Sequence, residues 1–235
     1  MAPVVKPASD PLGDHPLGCS SVHPLSTGRP LNPDLFRLEF ADGRAPVAWK
    51  TFRHKPAFVG GAVGHLVTRR EFKALRRLRG IEGVCPLAKD DCRDGLFLEW
   101  VPGKPLSEFA AGELPPATYA ALEQAVRRMH AARVVHLDLG HRGNILVTPD
   151  HKPILLDFQA AMDVRFLPRP LARAFETVDE LAILKWKQKQ FPRLMTPEEE
   201  ARVARRRKMT RLWPFHHWFF WFLGRRRRPG GDEEE

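Results

Sequence analysis

Between Val134 and Ala161 the chain reads VVHLDLGHRGNILVTPDHKPILLDFQAA, and few folds accommodate that stretch. Two short apolar runs, Ile145–Val147 and Ile154–Leu156, flank a polar link from Thr148 to Pro153. Runs of this length, broken by Pro and Asp, predict a β-hairpin. Asn144 precedes the first strand and Asp157 follows the second, so antiparallel pairing brings both to the same open end. Asp138, upstream of Asn144, folds back over that end. Two carboxylates and an amide oxygen converging there suit a hard cation that keeps some waters and binds phosphate. The competing reading is an ordinary buried hairpin with solvated acids at its ends.

The ordered set His136-x-Asp138-Leu139, Asn144-Ile145-Leu146 and Asp157-Phe158 resembles the catalytic loop and metal-binding motif of the protein-kinase-like superfamily. It is similar above all to that superfamily's small bacterial lipopolysaccharide-core (Kdo/heptose) sugar kinases and RIO-type Ser/Thr kinases. The resemblance implies an α+β, two-lobed protein-kinase-like fold with a reduced C-lobe, and ATP and Mg2+ as cofactors. It makes Asp138 the catalytic residue, accepting or orienting the proton of an attacking hydroxyl. It makes Asn144 and Asp157 the Mg2+ ligands, with His136 bracing the loop and Phe158 packed beneath it.

Three positions depart from the pattern. Asp138 to Asn144 spans one residue more than the usual kinase loop. Gly140 stands where many protein kinases keep a phosphate-binding Lys, a charge that His141 or Arg142 could supply. Gln159 replaces the glycine after Asp157-Phe158, which limits backbone freedom there.

Upstream, Leu35–Phe40 and Pro46–Phe52 alternate as strands around a tight turn at residues 41–44. Val47-Ala48-Trp49-Lys50 resembles the kinase strand whose Lys, here Lys50, holds the α- and β-phosphates; a Lys snorkelling at a strand edge is the competing reading. Phe72, Leu75 and Leu78 step by three and predict an amphipathic helix from Arg69 to Leu78. Glu71 on it resembles the helix glutamate that pairs with that lysine. The alternative is a solvated helix acid. Gly60-Gly61-Ala62-Val63-Gly64 lacks the Gly-Lys-Ser/Thr of a phosphate loop and reads as a link. Leu96–Val101, stopped by Pro102-Gly103, resembles the kinase hinge, where backbone groups around Glu99 to Val101 read the adenine edge.

Residues 1–33 hold seven of the 22 Pro and predict an irregular lead-in, without the first strand and G-x-G-x-x-G lid that a kinase asks for there. The expected organisation is this lead-in, an N-lobe at 34–101, a reduced helical C-lobe at 102–212, and an aromatic, basic tail at 213–235. In the C-lobe, Pro115-Pro116 open a helix with Tyr119, Leu122, Val126 and Met129 on one face. Glu176–Gln190 reads as a second helix, and Thr196 caps a third.

The net charge of +10 has one source. Residues 202–228 carry ten Lys and Arg and no acid, leaving 28 cations against 28 acids elsewhere. Seven aromatics lie within residues 213–222, ahead of Arg225–Arg228. Aromatics beside a basic cluster suit an anionic membrane surface, through residues 213–228; a final helix packing onto the C-lobe is the alternative. Because the aromatics are bunched apart from the cations, nucleic acid is disfavoured as a partner. The N-terminus has no charged segment followed by an apolar run, and three Cys form no metal-type pair. These features point to a cytoplasmic enzyme, peripheral on the inner face of the membrane. No sequence signal assigns an oligomeric state.

The expected function is therefore transfer of the γ-phosphate of ATP to a hydroxyl acceptor, a protein Ser/Thr or a lipopolysaccharide-type sugar. A pseudokinase or nucleotide-binding regulatory module is the alternative, supported by the missing glycine-rich lid.

Overall fold

The computed structural model describes residues 16–27, 32–56 and 59–212. The described residues divide into two units, one formed by those from 16 to 65 with Leu87–Trp100, the other by Leu66–Pro86 with those from 101 to 212.

The first unit is an antiparallel sheet of β1 (Ser21–Ser26), β2 (Asp34–Glu39), β3 (Val47–Thr51) and β4 (Leu96–Glu99), in that spatial order. Strict alternation buries Asp34, Phe36 and Leu38 of β2 on one face. Phe36 and Leu38 join Trp49, Phe97 and Cys19 in a core cluster, with Trp49 stacked on Phe97 at 6.0 Å. Trp49 Nε1 donates to Asp94 O at 2.9 Å, so the buried indole loses no hydrogen bond. The turn there needs Gly95: its φ is +118°, and a Cβ would lie 2.6 Å from Lys50 O.

The lead-in is not irregular throughout. β1 lies inside it and pairs with β2 from Ser21↔Glu39, with a register shift between Pro24 and Ser26. An edge strand exposed along most of its length shows no apolar period, and Pro24, which has no N–H to donate, is tolerated at an edge. The expectation of an irregular lead-in is corrected to that extent; residues 1–15 and 28–31 lie outside the described residues.

In the second unit, α1 (Gly64–Arg77) starts five residues before the expected Arg69. Phe72, Leu75 and Leu78 form its buried stripe, and Gly80 at φ 79° follows its last turn. β5 (Lys104–Pro105) precedes α2 (Pro116–Ala131), which buries Tyr119, Leu122, Val126 and Met129. Next come β6 (Val134–Val135), β7 (Ile145–Val147), β8 (Pro153–Leu155) and β9 (Met162–Asp163). The predicted hairpin is β7–β8, in register Ile145↔Leu155. Its second strand sits one residue earlier than expected, and β5 pairs with its first strand, β7, on the other edge.

α3 (Arg169–Gln190) begins seven residues before the expected Glu176. Pro168 and Pro170 occupy its cap and first turn, where a missing N–H costs nothing. α4 (Pro197–Leu212) opens with a reciprocal cap. Glu199 N–H donates to Thr196 Oγ1 at 3.3 Å, and Thr196 N–H to Glu199 Oε2 at 2.9 Å. Lys187 to Glu199, Arg202 to Glu180 and buried Val203 hold α4 on α3. Among the described residues no helix is long and apolar enough to cross a membrane, and the tail at 213–235 lies outside them.

Candidate active site

The loop after β6 is fixed from α3. Asp179, fully buried, accepts the backbone N–H groups of His136 and Leu137, each at 2.7 Å. His130 Nε2 lies 3.0 Å from the same carboxylate. Leu137 stands at φ 66°, a conformation costly for a branched side chain, so these bonds hold the chain where it would otherwise relax. Two turns further along α3, Trp186 Nε1 donates to Leu139 O at 2.9 Å. His136 is a brace, as expected: Nε2 lies 2.8 Å from Leu156 O and the ring packs 4.6 Å from that of Phe158.

Asp138 emerges from this scaffold half-buried, and Asn144 closes over it. Asn144 Nδ2 donates to Asp138 Oδ2 at 2.7 Å and to Asp138 O at 2.9 Å. Both amide hydrogens are thereby directed at Asp138, which turns Asn144 Oδ1 away from that carboxylate. Leu156 N–H donates to Asn144 O at 2.9 Å, so the open end of the hairpin brings Asn144 beside the residue preceding Asp157. Asp157 takes φ 59° and leads into a short helical turn, Phe158–Ala160, with Phe158 fully buried. The positive φ falls on Asp157, so Gln159 carries no glycine-like conformation.

α1 grips this turn. Glu71, 1% exposed, accepts Phe158 N–H at 3.1 Å. Its neighbour Arg70 donates through Nε to Ala161 O at 2.7 Å and through Nη2 to Ala160 O at 3.0 Å. Burial pushes the Arg70 pKa down from its ordinary value, and the two carbonyls answer that cost by accepting charge-assisted bonds.

Within the second unit, Asn144 thus bonds Asp138 directly, and Asn144 and Glu71 accept the N–H groups of Leu156 and Phe158, the residues on either side of Asp157. Lys50 and Glu99 belong to the first: Lys50 is half-buried on β3 opposite Leu35 and Leu96, and Glu99 is exposed opposite Val47. Val101 is the half-buried residue with which the second unit resumes.

Sequence reasoning missed Asp179, Trp186 and Arg70. A signal for Asp179 was present: it lies in step with Ala172, Glu176, Ile183 and Trp186 on the buried face of α3. An acid on an apolar stripe has to be satisfied by something.

The donor set suits a small hard cation. Two carboxylates and an amide oxygen leave coordination places for water and phosphate. Among the described residues no cluster of three or more His, Cys, Asp or Glu makes an all-protein metal cage.

Residues 47–199 match the RIO domain family model. A probable SapB synthase from Streptomyces coelicolor is 39% identical over 122 residues, a match covering 42% of this chain and 13% of that protein. Among solved structures, the Rio2 kinase from Chaetomium thermophilum aligns with a TM-score of 0.56 at 16% identity, over 77% of this chain and 62% of that one. The Rio2 kinase-ADP/Mg2+-phosphoaspartate complex from the same organism aligns with a TM-score of 0.55 at 17% identity, over 79% and 60%. At such identities the likeness shows the fold, α+β and kinase-like. The chain spans less than two thirds of each of these proteins.

Proposed function

Because this chain belongs to the RIO domain family, we propose that it is an ATP- and Mg2+-dependent phosphotransferase acting on a hydroxyl group. The observation that carries this reading is the Asp138 carboxylate, held by Asn144 on a loop that Asp179 pins from beneath. A base positioned in this way suits phosphoryl transfer, where the protein mainly aligns reactants and neutralises charge. The Rio2 complex that aligns with this chain contains ADP and Mg2+, which supports the same cofactors here.

Asp138 orients the acceptor hydroxyl and takes its proton as the oxygen attacks the γ-phosphorus. The bond from that phosphorus to the β-bridging oxygen breaks and ADP leaves. Asn144 Oδ1 and Asp157 would hold Mg2+, which would supply positive charge against the phosphates. Glu71 and Arg70 keep Asp157 aimed by fixing the turn that follows it. Lys50 is assigned to the α- and β-phosphates, and backbone groups from Glu99 to Val101 to the adenine edge; the sequence motifs support both assignments.

The acceptor is a protein Ser/Thr or a sugar of a lipid-linked glycan. The aromatic and basic residues of 213–228 favour an enzyme working at the inner face of an anionic membrane. Mg2+-dependent ADP release by the full chain, abolished in Asp138→Asn, tests the central claim. Thermal stabilisation by nucleotide without turnover would instead make the chain a binding module. Flotation with anionic liposomes, lost on deleting residues 213–228, tests the membrane assignment.

A further inference from the structure

The enlarged loop between Asp138 and Asn144 has a fixed backbone and, in Arg142, an exposed cationic side chain. Two successive turns close it: His141 N–H donates to Asp138 O at 3.1 Å, and Asn144 N–H to His141 O at 3.3 Å. The His141 ring caps the second turn, Nδ1 accepting Gly143 N–H at 3.3 Å. From the other side, Ser107 Oγ donates to Arg142 O at 3.1 Å. Residues 140–143 are nonetheless all exposed, and a Cβ added at Gly140 would meet nothing within 4 Å.

Most arginines nearby in the chain are committed. Arg133 and Arg173 face Glu176, Arg165 faces Asp163, and Arg202 faces Glu180. Arg142 enters no ion pair among the described residues, although its loop carries the proposed base. An Arg without a carboxylate, on a backbone held from both sides, is a ready partner for a carboxylate or phosphate. The nucleotide's own charge already has Lys50 and the cation of Asn144 and Asp157 assigned to it. Neither assignment uses Arg142, which stands exposed on the loop of the proposed base.

Resting on the phosphotransferase reading, we propose that Arg142, with His141 beside it, selects acceptors that carry an anionic group close to the attacking hydroxyl. Arg142 is then a specificity residue, and the preferred substrate is an acidic alcohol.

Initial rates of ADP release by the full chain test this with two matched pairs. One pair is a Ser peptide flanked by Glu and the same peptide flanked by Lys; the other is glucuronate and glucose. The peptide and sugar arms identify the carrier of the charge. The wild type is expected to favour the acidic member of one pair by about tenfold in kcat/KM. Arg142→Ala removes that preference through the acceptor KM, Arg142→Lys keeps part of it, and added salt weakens it in the wild type. An unchanged preference in Arg142→Ala overturns the proposal. So does a rise in the KM for ATP in place of the acceptor KM, which would assign the cation to the γ-phosphate. Transfer without charge preference in the wild type overturns it and leaves phosphoryl transfer standing. No ADP release with any acceptor, water included, overturns the phosphotransferase reading itself and this one with it.

Discussion

Asp179 Oδ1 accepts the backbone N–H of Leu137 at 2.7 Å, and Leu137 stands at φ 66°. The bond and the strain belong together: the carboxylate of α3 stabilises the backbone conformation that delivers Asp138 one residue later. Asp179→Asn keeps one acceptor oxygen but turns an amide N–H2 toward groups that are themselves donors. The variant should lose about 3 kcal/mol, from broken charge-assisted bonds and backbone N–H groups left buried. For a chain of this size that is a fall in Tm of roughly 6–12 °C. ADP release measured well below both melting points should drop further than the residual folded fraction accounts for. An unaltered rate there would show that Asp179 stabilises the fold without positioning the loop.

Lys55 and Asp34 form a direct ion pair in the first unit, each side chain 5% exposed, with His54 Nδ1 3.7 Å from the same carboxylate. Removing one partner strands the other charge in a dry setting, so Lys55→Met should cost roughly 3–5 kcal/mol. Replacing both, Asp34→Leu with Lys55→Met, strands neither charge of the pair and should recover most of that loss. Chemical denaturation of the two variants checks the comparison. A double variant as unstable as the single one would mean that packing, not charge, sets the cost.

How much of this was legible in the sequence follows from where the information lies. The β7–β8 hairpin and α2 are written locally: Ile145–Val147 between turn residues, and Tyr119, Leu122, Val126 and Met129 along one face, need no distant partner to be recognised. β1 is an edge strand with little to bury, so no period marks it. The start of α3 was hidden because Pro168 and Pro170 signal both a break and a beginning. In the proposed site, Asp138, Asn144 and Asp157 are proposed from their order and spacing, and the hairpin that sets Asn144 beside Asp138 was legible with them. The left-handed backbones of Leu137 and Asp157 were not, because partners far along the chain hold them: Asp179 for Leu137, and Glu71 for the residue after Asp157.

The α3–α4 junction should weaken in acid. Burial favours the neutral form of Glu199, but bonding to the Lys187 ammonium and the Thr196 N–H outweighs it and holds the carboxyl below its usual value. A carboxyl depressed in the folded state contributes its stability fully above the unfolded pKa. That contribution is lost as pH falls through the lower, folded value. Melting curves from about pH 6 to about pH 3 should therefore decline more steeply for the wild type than for Glu199→Gln, which has no proton to take up at that position. Parallel curves would show that the bonds from Lys187, both at 2.7 Å, add nothing net.

Asn144 carries two duties that a single substitution removes together. Its Nδ2 holds Asp138 Oδ2 at 2.7 Å, and its Oδ1, turned the other way, is the proposed metal ligand. Asn144→Ala should raise the Mg2+ concentration for half-maximal ADP release by roughly 10–100-fold, the range seen when groups that orient a metal site are lost. The rate at saturating Mg2+ should also stay low, because Asp138 is no longer held. Asn144→Asp separates the duties. It retains an oxygen for the metal but sets a second carboxylate against Asp138, and two like charges at that distance resist ionising together. Its Mg2+ requirement should stay nearer the wild type while its pH profile for turnover moves upward, as Asp138 holds its proton to higher pH. A Mg2+ titration of the three proteins at several pH values decides the matter. If Asn144→Ala shows a wild-type Mg2+ requirement, Asn144 is a tether for Asp138 and not a metal ligand.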